Sequence, residues 1–418
     1  MACKRSGVQI PSAPHKIMKK FLLETKELLL SQWVIAVLAI IQVRIVAGNL
    51  GPEIYGNIGV YLGFVGISFR LLSSRNSDLI LMNFKSTTLN FLYSSLLFEL
   101  MLGSFSLFFV FGIFYLYYGF IPEYLLLYFF TRIFLNFLEV FKGVFTHKGN
   151  MKIYSYVESS SNIVRFILVV SFITINPSIS SYFYALSFYQ IFVTILVLIL
   201  LLTNNNNIGM KMNFKDYLKL SKDSFFKIRT DQAVGLIPIH LDVVVIGYFS
   251  NYYSAGVYRI AKKLVEPVNS LVVAFSPWML NKIDSKNNYS FRDLTLKILI
   301  PSSVVIALAY LLFGKKLIEI IAGREFSDSY MPMLILAVGY IAYYLTFWTR
   351  HYLLLNNLIL EHTKGRLVNL LVFMITSPLL IPSYGFNGIA ISISFSIIFQ
   401  KLYEINAYYK NRNIKNNN

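Results

Sequence analysis

Long apolar stretches, and the placing of charge between them, constrain this chain more than any other feature. About twelve stretches of roughly 17–25 residues run from Ser31 to Ile405. Each is long enough to cross a hydrocarbon core of about 30 Å as a helix. Lys and Arg concentrate in every second connection. Counting Arg70, Lys142, Lys297, Arg366 and Lys401, at the ends of spans, with the adjoining cytoplasmic segments, 28 of the 38 fall in those segments, three (Lys315, Lys316, Arg324) in presumed external turns and seven farther inside the spans. Because positive charge is retained on the cytoplasmic side during insertion, both termini are expected in the cytoplasm. Spans are expected near 31–48, 54–72, 94–118, 122–142, 155–176, 180–202, 231–249, 255–279, 297–314, 330–352, 366–382 and 386–405. Breakers mark several external turns: Gly51-Pro52, Gly119 with Pro122, Pro177, and Pro382 with Gly385.

Composition supports a membrane protein. The chain is 56% hydrophobic and 14% charged, with mean hydropathy +0.59, whereas soluble domains carry about a quarter charged residues. The net charge of +18 follows from the cytoplasmic bias and excludes nucleic acid as a partner class. A single cysteine, Cys3, excludes an internal disulfide. The five histidines form no metal-ligand spacing. Segment length and the lack of alternation exclude a transmembrane barrel. Many tyrosines near span ends, such as Tyr115, Tyr124 and Tyr384, form an interfacial belt.

Residues 1–17 are expected to be a non-native or disordered extension, with Met18-Lys19-Lys20 the more natural start, and 410–418 a disordered tail. A weak internal duplication divides the rest. Val46–Tyr61 (VAGNLGPEIYGNIGVY) and Val245–Tyr258 (VIGYFSNYYSAGVY) each end one span and enter the next through a short turn. The pairing sets Gly59 and Tyr61 against Gly256 and Tyr258. Two six-span lobes are expected, 18–229 and 230–409, with a cytoplasmic linker near 203–229. Repeats of this kind favour a cavity at their interface.

The seven cations farther inside the spans are Arg44, Arg132, Arg165, Arg259, Lys262, Lys263 and Arg350. A cation at the centre of a lone helix costs roughly 2.5–3.5 kcal/mol, so facing the bundle interior is the cheapest arrangement. Arg70 and Arg350 are read as snorkelling near the cytoplasmic face. Arg259, Lys262, Lys263 and Glu266 stand at i, i+3, i+4 and i+7, on one broad helical face. Pro267 and Asn269 follow. Glu266 neutralises a neighbouring lysine or lines a wet wall; both readings stay open. Asp242, Glu99 and Glu139 are counter-charges or proton-bearing groups. A cavity lined mainly by cations suits an anionic substrate, with Arg forks pairing bidentately with phosphate.

Three segments carry a family resemblance. Asn49–Gly56 (NLGPEIYG) resembles the LGPExYG turn of the polysaccharide-biosynthesis flippases, the O-antigen and capsule (Wzx-type) family. Leu241–Lys262 (LDVVVIGYFSNYYSAGVYRIAK) is similar to that family's passage from span seven to span eight, with Ser250-Asn251-Tyr252 replacing its second LGPE-like turn. Ile321–Tyr340 resembles its loop into span ten. The family belongs to the multidrug, oligosaccharidyl-lipid and polysaccharide exporter group. The resemblance implies an all-α integral membrane fold of about twelve transmembrane helices, in two six-helix lobes around a central, MATE-like cavity. It implies translocation of undecaprenyl-diphosphate-linked oligosaccharide units across the bacterial inner membrane for O-antigen or capsule synthesis. No bond is made or broken, so no catalytic residue, metal or cofactor is expected. Expected partners are the lipid-linked oligosaccharide, membrane lipids, and a polysaccharide polymerase with chain-length machinery, with H+ or Na+ as coupling ion. By position, Arg44, Arg70, Arg259 and Lys262 would hold phosphate, while Tyr258 and Asn269 would contact sugar. Glu99, Glu139, Asp242 and Glu266 would serve coupling or charge balance. A drug exporter of the same fold is one alternative reading, and a membrane polymerase another.

Overall fold

The computed structural model describes residues 14–72, 90–147, 151–203, 234–235, 237–284, 295–356 and 358–417. The expected linker at 203–229 lies almost wholly outside these residues, as do the first thirteen residues of the expected extension. The regular elements among the described residues are all helical. They are α1 (Pro14–Leu72), α2 (Asn90–Tyr118), α3 (Glu123–Leu135), α4 (Phe137–His147), α5 (Met151–Ile175) and α6 (Ile179–Thr203). After them come α7 (Ile237–Phe249), α8 (Tyr252–Asp284), α9 (Ile300–Ile321), α10 (Tyr330–Thr346), α11 (Trp348–Leu355) and α12 (Ile359–Asn417). A π-helical turn, Thr295–Leu299, precedes α9, and a 3-10 segment, Arg324–Ser329, precedes α10.

The expectation of about twelve membrane spans in two six-helix lobes is corrected. Among the described residues, seven helices are long and apolar enough to cross a membrane. Local causes account for the difference. The spans expected at 31–48 and 54–72 belong to one helix, α1, interrupted only at Gly51 (φ 72°). Those expected at 366–382 and 386–405 belong to α12, interrupted at Gly385 (φ 52°). Glycine takes these left-handed conformations without a Cβ clash, so the chain turns and resumes its helix at once. The seven do not include α8, which carries Arg259, Lys262, Lys263 and Glu266, or α9, whose last turns hold Lys315, Lys316 and Glu319. The described part of the span expected at 231–249 is the short α7.

Within the helices, hydroxyls are satisfied locally. Ser106 donates to the Leu102 carbonyl, Ser187 to Phe183 and Thr194 to Gln190. In hydrocarbon these groups have no water to turn to. The outward faces are apolar: Phe108, Leu116, Ile175 and Leu312 are all more than two-thirds exposed. Such patches would be a liability in water and are ordinary against acyl chains.

Candidate functional site

A stripe of glycines on α1 brings distant parts of the chain together. Gly56, Gly59, Gly63 and Gly66 recur at helical spacing and so share one face. That face lies on α7 and α8. A Cβ on Gly56 would run into the Tyr252 carbonyl oxygen, and one on Gly256 into the Pro52 carbonyl oxygen. The contact is reciprocal, since each glycine meets the carbonyl four residues before the other. Small residues permit this approach where membrane helices have only packing to hold them. The reciprocity relates Gly56 to Gly256, one turn away from the pairing read in sequence. Gly63 faces Val244 and the His240 carbonyl, and Gly66 the His240 ring.

Gly59 makes room for Arg259. A Cβ there would lie 2.9 Å from the Arg259 Cδ. The guanidinium sits 4.2 Å from the centroid of the Tyr55 ring. Its Nη1 donates to the Tyr55 carbonyl at 2.8 Å. One side chain from α8 therefore grips the backbone and the aromatic face of α1.

Below this contact lies a cavity of about 730 Å³, within the range of small-molecule sites. Its wall comes from α1, α3, α5 and α6 on one side and α7, α8 and α9 on the other. Arg132, Arg165, Arg259 and Lys263 line it. Glu266 is the one acid among the lining residues and accepts from Lys263 Nζ at 2.6 Å. Tyr55, Tyr128, Tyr182 and Tyr189 add ring faces and hydroxyls. Gln190 lines it too and accepts from Thr131 Oγ1 at 2.6 Å. The chamber is thus cationic with an amphipathic aromatic lining.

The expected site residues part company here. Arg259 and Glu266 reach the cavity. Lys262 turns away from it, donating to Asp242 Oδ2 at 2.5 Å and to the Ile239 carbonyl at 2.7 Å. Tyr258 is fully buried and donates to the same Asp242 oxygen at 2.7 Å. Arg44 is exposed beside Gly323, and Asn269 is exposed outside the lining. Glu99 is buried and Glu139 partly so, both away from the cavity. The Arg70 side chain lies outside the described residues. Of the seven cations expected within spans, four line the chamber. The reading from charge alone overlooked His240, Gln190 and the tyrosines. Gln42 and Gln190, polar groups in apolar helices, are the signal that would have found this wall.

Asp242 organises α7 against α8. Its carboxylate takes Lys262 and Tyr258 together, and its Oδ1 accepts from the Val243 amide at 2.8 Å. Asp242→Ala leaves a buried hydroxyl and a nearly buried ammonium short of an acceptor. Breaking such a pair costs about 3 kcal/mol or more. A fall in melting temperature in detergent is expected, with Asp242→Ala plus Lys262→Met recovering part of it.

A second buried cluster joins α11 to both limbs of α12. Glu404, with no exposed surface, accepts from Lys401 Nζ at 2.7 Å, Thr349 Oγ1 at 2.7 Å and Gln400 Nε2 at 2.8 Å. His362 Nδ1 lies 3.1 Å from Oε1, the oxygen that Gln400 also reaches, while Lys401 and Thr349 share Oε2. Lys401 Nζ also stands 4.6 Å from the Tyr343 ring centroid. In sequence Lys401 counted with the cytoplasmic tail; here it is buried.

No protein-family model matches the chain, and no curated protein matches it. Solved structures do. The lipid II flippase MurJ, in an inward closed conformation, matches with TM-score 0.74 at 16% identity, over 91% of this chain and 87% of that one. The chain shares its fold with the MurJ and MATE transporters. An inward-facing multidrug resistance MATE family transporter of the MOP superfamily matches with TM-score 0.64 at 13% identity, covering 88% of this chain and 92% of that one. A MOP superfamily transporter from Pyrococcus furiosus, described as having a binding pocket of reverse polarity, matches with TM-score 0.57 at 12% identity, covering 92% and 91%. At these identities the likeness is one of fold, and it extends to nearly the whole chain.

Proposed function

We propose that this chain is a flippase of lipid-linked oligosaccharide, moving undecaprenyl-diphosphate-linked units across the bacterial inner membrane for O-antigen or capsular polysaccharide. The observation that carries the reading is Arg259, a cation held at the head of a membrane-embedded chamber with one acid among its lining residues. Its guanidinium takes the diphosphate, with Lys263 one turn along the same helix. The tyrosine-lined wall takes the sugars, and the isoprenoid tail stays in lipid. The MurJ-like fold and the turn motifs at Asn49–Gly56 and Leu241–Lys262 agree with this reading. An exporter of cationic drugs would need acids to dominate the wall.

The grip of Arg259 on α1 gives the cycle its trigger. The Tyr55 carbonyl is a single neutral acceptor; a diphosphate carries negative charge and can take the guanidinium fork bidentately. Substrate therefore draws Arg259 off the Tyr55 carbonyl and loosens α1 from α8 at the Gly56–Gly256 contact. The lobes, 18–229 and 230–409, then rock to open the other side.

Complementation of a flippase-null strain, read by a leaflet-resolved assay of lipid-linked glycan, tests the function. Arg259→Ala is expected to lower translocation about tenfold or more while the protein stays in the membrane. Arg259→Lys keeps the charge, loses the fork and falls between. Unchanged translocation in Arg259→Ala removes the role assigned to it, and failure of the wild-type chain to complement removes the function.

A further inference from the structure

The short segment Arg324–Ser329, between α9 and α10, has two buried side chains that reach different helices. Phe326 is fully buried and meets the Tyr55 ring of α1 edge to face, with centroids 6.0 Å apart. Ser329, equally buried, donates from its hydroxyl to the Val257 carbonyl of α8 at 2.8 Å. Arg324, Glu325, Ser327 and Asp328 are exposed. Asp328 accepts from the Tyr253 hydroxyl, also on α8, at 2.8 Å. The segment leaves α9 through Gly323, whose φ of 111° only glycine takes at little cost.

The contacts with α1 are of another kind. A Cβ on Gly51 would lie 3.6 Å from Glu325 Oε2, and one on Gly323 would lie 3.3 Å from Arg44 Nη1. The segment therefore touches both limbs of α1 and the turn between them. Among the described residues, no hydrogen bond or ion pair ties Arg324–Ser329 to α1. This difference decides which attachment gives. Parting from α8 strands a buried hydroxyl, which is costly. Parting from α1 breaks no hydrogen bond and only bares an aromatic ring to water. That exposure keeps the segment seated at rest.

Its place is the end of the chamber. Tyr55 lines the cavity, as do Leu317 and Ile321 in the last turns of α9, just before the segment begins. The charge pattern expects this end on the outer side, opposite the basic connections.

We propose that Arg324–Ser329 is a releasable outer seal. It stays fastened to α8 through Ser329 and Asp328, and it parts from α1 at Phe326 when the chamber opens outward. The seal acts whatever the chamber carries, so its test is separate from that of the flippase reading.

The test uses the full chain with its single cysteine replaced (Cys3→Ser) and spin labels on exposed positions, in nanodiscs. Asn49→Cys with Ser327→Cys spans α1 and the segment. Ser250→Cys with Ser327→Cys spans the α7–α8 turn and the segment. Pulsed EPR reads both distances. Phe326→Ala is expected to raise the long-distance share of the first pair about threefold or more and to leave the second pair unchanged. Phe326→Leu keeps an apolar group under the segment and is expected to shift the first pair less. Melting temperatures show whether each variant is folded; if Phe326→Ala is not, the same comparison is made with Phe326→Leu. An impermeant maleimide added to spheroplasts reads the seal itself. Leu62→Cys, in the chamber wall, is expected to be labelled about tenfold faster with Phe326→Ala than with Phe326 intact. An unchanged first pair, both pairs moving together, or a labelling rate indifferent to Phe326→Ala overturns the seal.

Discussion

Glu404→Ala is expected to produce the largest loss of stability of any single substitution in the C-terminal helices. The carboxylate is fully buried and accepts from Lys401, Thr349 and Gln400, with the His362 ring nitrogen beside it. Removing it leaves the Lys401 ammonium in the interior without its counter-charge. Truncating one member of a buried ion pair costs roughly 3–5 kcal/mol, mostly as the penalty of the stranded charge. The orphaned neutral donors add to that. Melting in detergent measures the effect, and Lys401→Met distinguishes its cause. Glu404→Ala with Lys401→Met removes the stranded charge and is expected to melt well above Glu404→Ala alone. If the double variant melts as low as the single one, Lys401 is not the source of the penalty.

Gly256→Leu is expected to abolish translocation. The Gly256 Cα faces the Pro52 carbonyl, and the Gly56 Cα faces the Tyr252 carbonyl. Backbone cannot move aside as a flexible side chain can, so α1 and α8 must separate along the whole contact. Overpacking typically costs about 1–3 kcal/mol, and a backbone collision belongs at or above the upper end. Separation also draws the Tyr55 carbonyl away from Arg259. Gly256→Ala introduces the same collision with a smaller group and is expected to fall between wild type and Gly256→Leu in both melting temperature and flipping rate. Wild-type melting and flipping in Gly256→Leu would mean that the two helices do not meet as described.

Three turns were legible in sequence because each sets a glycine close to a proline. Gly51 before Pro52, Gly119 before Pro122, and Gly385 all take positive φ, which only glycine does at little cost. The number of spans was not legible. Gly51 and Gly385 turn the chain without ending the helical run, and the charge on α8 lowers its hydropathy below that of a spanning segment. The Glu404 cluster was hidden for another reason. A Lys and a Glu three residues apart near a helix end look like a snorkelling surface pair, and nothing in one helix reveals that α11 and the opposite limb of α12 will cover them.

Transfer of apolar surface into lipid and the cost of a charge there are summed residue by residue along the chain, so the sequence alone determined that this is a membrane protein, where its turns fall and that Arg259 needs a polar setting. Direction is different. Lys262 and Lys263 are neighbours in sequence, yet one is drawn to Asp242 on α7 and the other to the cavity beside Glu266. Which way a side chain points depends on what packs against its helix, and here four glycines of α1 decide that by letting its backbone close on α7 and α8. Only the tertiary structure could choose which cations share one chamber.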